Sequence, residues 1–251
     1  MLDAMTIDEA LDRFAIVDGT ADHDAITMFQ GFVEDFGPGY LTGDEAQAYE
    51  RAMIGGRPRP FATTADPSVL PSLMPEFLYD YLVSTFEGEP EEAHGIAETM
   101  VRLLGWLADE GAIDHREAKD AMAVCRRAAD QLPRAMVLGT LLDRQADRVD
   151  PSPEFQPTDV VDGLMRIARV QPGMLWFADG VGPVPIGEAA SRVAQEGWWV
   201  DITVASKGGF WHVLEVGSVF PERIVHEADE ADEADQLDEA DQADEADEAD
   251  A

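Results

Sequence analysis

Apolar and polar residues alternate most regularly between Trp198 and Ser206. Trp198, Val200, Ile202 and Val204 share one face there, and Asp201 and Thr203 take the other. A period of two predicts a half-buried strand. Lys207-Gly208-Gly209 supplies the positive-φ freedom of a tight hairpin, so Phe210–Val216 is predicted to return antiparallel. Met174–Ala178, bounded by Pro172-Gly173 and Asp179-Gly180, reads as a third strand, and Gly187–Gln195 as a short helix between strands. Residues 158–164 are ambiguous, because Val160-Val161 suits either the close of a helix or the start of a strand. Together these segments predict a small antiparallel β-barrel-like module of SH3 or OB size over residues 164–221.

Upstream, the apolar spacing changes to three and four. Ile7, Leu11 and Phe14 follow a capping box at Thr6–Glu9, and Ile26, Phe29, Val33 and Phe36 form a second stripe ended by Gly37-Pro38-Gly39. Thr42–Glu45 repeats the capping-box signal. Pro58 and Pro60 exclude helix from the following connector. A further helix is expected after Pro75, and a strong pair follows: Ile96–Leu107 closed by Gly111, then a helix opened by Asp114 and Glu117. Pro133 is expected to separate that helix from another carrying Val137, Leu138, Leu141 and Leu142. The predicted class is therefore α+β. An all-helical domain spans 1–150, a linker around Asp150-Pro151-Ser152-Pro153 spans 151–163, and the β module spans 164–221. An acidic tail occupies 222–251 and is expected to be disordered, since Leu237 is the only large hydrophobe in its near three-residue Glu-Ala-Asp repeat.

Charge changes the picture most. The chain has 52 acidic and 17 basic residues, and only Lys119 and Lys207 are lysines. With the 14 acids between Glu227 and Asp250 set aside, 38 acids still face the 17 basic residues, so the body itself is strongly negative. Such a body repels itself in dilute buffer, and the repulsion fades at about 1 M salt, where the screening length is about 3 Å. This acidity, with lysine scarce throughout, resembles the cytoplasmic proteins of haloarchaea. The resemblance implies a habitat rather than an activity. One cysteine, Cys125, excludes an internal disulfide, and no apolar run approaches the ~20 residues that span a bilayer. The expected setting is cytoplasmic, without a membrane.

Catalytic motifs are missing: there is no phosphate-binding GxxxxGK[ST] loop, no GxGxxG after a strand, no HExxH and no GxSxG. Asp22-His23-Asp24 and Asp114-His115 read as helix caps before they read as metal ligands, Ser218 as a turn serine, and Cys125 as a buried thiol despite Arg126 and Arg127 beside it. No cofactor or metal is expected. The segment LLGWLADEGAID resembles a helix pair of tyrosine-recombinase core-binding domains, but the Arg/His/Arg/Tyr signature of those enzymes does not follow it.

Two features suggest binding. Residues 116–148 hold seven basic residues (Arg116, Lys119, Arg126, Arg127, Arg134, Arg144 and Arg148) against five acids, a positive island open to ion pairing between helices, to an acidic partner or the chain's own tail, or to phosphates. The tryptophans cannot all point inward, because Trp198 and Trp199 are neighbours in one strand, and His212 lies beside Trp211. The candidate binding residues are thus Trp199, Trp211, His212, Arg126, Arg127 and Arg134. The expected function is a non-enzymatic protein-interaction or regulatory module whose partner is another protein. The alternatives are a nucleic-acid-associated protein using the tryptophans and the arginine island, which net charge disfavours, and an enzyme of unrecognised type.

Overall fold

A computed structural model describes residues 5–19, 22–148, 157–178 and 180–224. The last residues of the acidic tail, and the Asp150–Pro153 linker signal, lie outside this range. Helix α1 (Ile7–Val17) starts at the expected box: the Thr6 hydroxyl accepts from the Glu9 N–H, and the Glu9 carboxylate accepts from the Thr6 N–H. Asp22 caps α2 (His23–Phe36) by accepting from two backbone N–H groups. At α3 (Gly43–Ile54) the second predicted box is not made, because Thr42 forms no side-chain cap bond, and α3 buries only Ala52. The Pro-rich connector is held instead by α2, where the Glu34 carboxylate accepts from the N–H groups of Phe61 and Ala62 at 2.9 and 3.0 Å.

The helix expected after Pro75 begins earlier. A short 3-10 turn leads into α4 (Leu70–Glu76), which continues through a π turn (Phe77–Tyr81) into α5 (Leu82–Thr85), with Pro75 inside α4. Helices α6 (Pro90–Asp109) and α7 (His115–Ala146) then form a pair joined at Gly111, whose φ of +72° suits glycine. Pro133 does not divide α7. A proline inside a helix costs roughly 3 kcal/mol, but its neighbours Leu132, Leu138 and Leu142 are at most 2% exposed. Burial of each is worth about 1.5–3 kcal/mol, enough to carry the helix through.

The sheet follows. Strand β1 (Asp159–Gln171) pairs antiparallel with β4 (Trp199–Lys207) through its first half and with β2 (Met174–Phe177) through its second, with a register shift between Ile167 and Arg169. Strand β3 (Val184–Pro185) pairs with β2, and β5 (Phe210–Phe220) with β4 across Gly208-Gly209, both at positive φ. Helix α8 (Gly187–Val193) lies between β3 and β4, where a short helix was predicted. The ambiguous segment is strand from Asp159 onward.

The barrel expectation is wrong. The strand order is β3-β2-β1-β4-β5, an open antiparallel sheet. Residues of β3 and β5 approach within 8 Å between Cα atoms, yet no ladder joins them. Two physical causes keep the sheet open. Strand β3 is two residues long and ends in Pro185, which has no N–H to offer a further strand. The inner face is also filled from outside the sheet: Ala135, Leu138 and Leu142 of α7 and Ala190 of α8 pack against Ile167, Trp198, Val200, Ile202 and Val213. A small closed barrel would fill that space with its own side chains.

Two hydrophobic clusters result, and α7 serves both. Its first half buries Ala118, Ala121, Cys125, Ala128 and Ala129 in the helical core, and its second half enters the sheet core. Among the described residues, no helix is long and apolar enough to cross a membrane.

Candidate functional site

The reactive side chains are placed structurally. Cys125 is fully buried, and burial pushes its thiol up to about 12, so Arg126 does not activate it. Asp114 accepts from the N–H groups of Arg116 and Glu117, and these bonds hold its carboxyl below the usual range. His94 Nδ1 lies 2.9 Å from the Ala129 carbonyl, tying α6 to α7. Ser218 donates to the Val83 carbonyl at 3.2 Å, tying β5 to α5. No group of three or more His, Cys, Asp and Glu side chains that suits a metal ion occurs among the described residues.

The sheet separates the aromatic candidates. Cross-strand partners face the same side, and Trp199 pairs with Phe220, Ala205 with His212, and Ser206 with Trp211. Counting along β4, Trp199 and His212 share the outer face with Asp201 and Thr203. Trp211 lies on the inner face, packed against the sheet core. Trp199 and Trp211 therefore form no common stacking platform. Three tryptophans have an arginine over the ring: Arg134 lies 5.7 Å from the Trp198 ring centroid, Arg169 lies 3.9 Å from that of Trp176, and Arg223 covers Trp199 at 5.2 Å.

Between α5, α7 and β5 runs a crevice of about 250 Å³, lined in part by Val83, Phe86, Met136, Gly139 and Val219. Its two hydroxyls are committed, Thr140 to the Met136 carbonyl and Ser218 to that of Val83. It has no titratable group on its walls, so it offers no acid–base chemistry.

The arginine island becomes one surface because α7 is one helix. At about 100° per residue, Arg116, Lys119, Arg126, Arg127, Arg134 and Arg144 fall within an arc of about 100° along about 42 Å of helix. All six are exposed, and the arc lies opposite the face that buries Ala118, Ala121, Cys125 and Ala128. Ion pairing between helices, one of the readings open for this island, is not seen at these six residues among the described residues. Ion pairs formed among the described residues include Arg59–Asp8, Arg102–Asp18 and Arg192–Glu188, and none of these is on the stripe. Asp130 falls within the same arc and Asp120 at its edge, and neither forms an ion pair seen among the described residues.

The six are not equivalent. Arg134 donates to the Val193 carbonyl at 3.1 Å, and the Gln195 amide oxygen, in the orientation that satisfies both groups, accepts from it. It thus satisfies an end carbonyl of α8 and clamps α8 to α7. Arg127 lies beside the Tyr79 hydroxyl, which donates to Gln131 Oε1 at 3.0 Å. Among the described residues, Arg116, Lys119 and Arg126 project from the stripe without an ion pair to an acid. The structure thus groups Arg126 and Arg127 on this stripe, assigns Arg134 to the α7–α8 junction, and places Trp199, Trp211 and His212 on the sheet.

No family model matches this chain, and no curated protein and no solved structure matches it.

Proposed function

We propose that the chain is a non-enzymatic protein-interaction module that engages an acidic protein segment through the basic stripe of α7. One observation carries this reading: in a chain with 52 acids, exposed cations along one face of α7 show no acidic partner among the described residues. The acidity of the body supports a high-salt cytoplasm as its setting. Phosphate contacts with nucleic acid are the weaker reading, because Trp199 and Trp211 lie on opposite faces of the sheet and offer no common stacking platform.

The test is fluorescence anisotropy of a labelled oligoglutamate at about 0.15 M salt, where a screening length of about 8 Å separates the stripe from the distant negative surface. The protein is a full-length variant carrying Gln or Asn at the acidic positions between Glu227 and Asp250, so that its own acids do not compete. Saturable binding is expected, and duplex DNA of matched charge is expected to bind more weakly. No binding of oligoglutamate ends this reading, and stronger binding of DNA replaces it with the nucleic-acid one.

A further inference from the structure

The course of the chain after β5 bears on what covers the stripe. From Phe220 it returns to the helical part, where Ile224, the last described residue, packs against the helical core. On the way, the Glu222 carboxylate acts electrostatically on the Tyr79 hydroxyl, which the Arg127 guanidinium also reaches, so this end of the chain lies on the Tyr79 side of the helical core. The 14 acids from Glu227 to Asp250 follow Ile224 within three residues, so they are tethered to the helical core whose outer side carries the stripe. Lys119 lies about 12 Å along the helix from Arg127, at about 1.5 Å per residue. An extended chain covers about 3.3 Å per residue, so the segment from Val225 to Asp250 is long enough to span such a distance several times over.

We propose that residues 227–250 lie on the α7 stripe of their own chain and exclude an acidic partner from it. This inference rests on the stripe being the interaction surface and adds how access to that surface is controlled. The tether sets the strength of the competition: a flexible segment holds its charges near their target at roughly millimolar effective concentration. A partner must exceed that, or bring contacts that alternating Glu-Ala-Asp lacks. The Ala at every third position keeps the tail a weak occupant, able to leave.

The chain's two lysines make this testable. Carbodiimide joins a carboxylate to an amine without a spacer, and the amines are Lys119 on the stripe and Lys207 at the β4–β5 hairpin. Dilute full-length protein is cross-linked and mapped by mass spectrometry, alongside oligoglutamate binding to wild-type chain and to the neutral-tail variant. The expected result is tail peptides joined to Lys119 in preference to Lys207 within single chains, and oligoglutamate binding tighter by roughly threefold or more without the tail acids. Tail peptides joined equally to both lysines, or joined between chains, overturn the proposal. Equal oligoglutamate binding by the two proteins also overturns it while leaving the stripe as an interaction surface. Absence of binding by the neutral-tail variant defeats the underlying reading instead.

Discussion

The two halves of α7 do opposite things with one helical face. From Ala118 to Ala129 the buried positions are Ala and Cys, and the small side chains let α6 and α4 approach closely. From Ala135 to Leu142 the buried positions include Leu138 and Leu142, which reach into the sheet core. The first half leaves a mainly cationic face outward, with Asp130 within it and Asp120 at its edge, while Arg134 in the second half is drawn into the junction with α8. A helix that is a close-packed spine at one end and a wedge at the other couples two cores, and its free surface is left where packing demands least.

That contrast predicts a graded set of effects. Leu138→Ala should cost about 2–5 kcal/mol, since it empties a fully buried site. Because α7 serves both cores, helical circular dichroism and tryptophan fluorescence should report one shared urea transition. Two separated transitions would break the coupling. Alkaline titration comes next. Burial raises the Cys125 thiol from 9.0 to about 12 and the Tyr79 hydroxyl from 10.0 to about 12. The neutral forms are thus favoured in the folded state. The stabilisation is complete below pH 9, where both groups are neutral folded or unfolded, and is lost as pH rises towards 12. Thermal melting should fall across that window, starting near pH 9, and Cys125→Ala should move the onset towards pH 10.

Smaller effects sharpen the difference between the halves. Ala128→Leu, which overpacks the close-approach half, should cost about 1–3 kcal/mol in denaturant melts. Arg134→Ala should cost about 1 kcal/mol, because it strips an end carbonyl of α8 and a ring contact, while Arg126→Ala should stay within about 0.5 kcal/mol. Equal costs at the two arginines would show that Arg134 is no clamp.

Most of the element pattern was legible, and the failures have local causes. The face of β4, the Gly208-Gly209 turn and the first capping box follow from period, positive φ and side-chain reach, all of which are local. Closure of the sheet is not local: it depends on Leu138 and Leu142 arriving from a helix that Pro133 was expected to end. The same misplaced break hid the stripe. Split at Pro133, the basic residues are a local excess of charge, whereas on one continuous helix they are a surface. Trp199 and Trp211 were grouped by composition, and only the β4–β5 register sets them on opposite faces.

The placement of charge, rather than its amount, is the central claim, and one comparison isolates it. In the neutral-tail chain, Arg116, Lys119, Arg126 and Arg127 are changed together to Gln, and in a second protein Arg13, Arg51, Arg57 and Arg166 are changed in the same way. Both lose four positive charges. Four exposed contacts of about 0.3–0.5 kcal/mol each amount to roughly a tenfold change in affinity. Oligoglutamate binding should therefore weaken about tenfold in the first protein and less than about twofold in the second. Equal weakening in both would mean that the chain reads net charge alone and that the α7 stripe is not a binding surface.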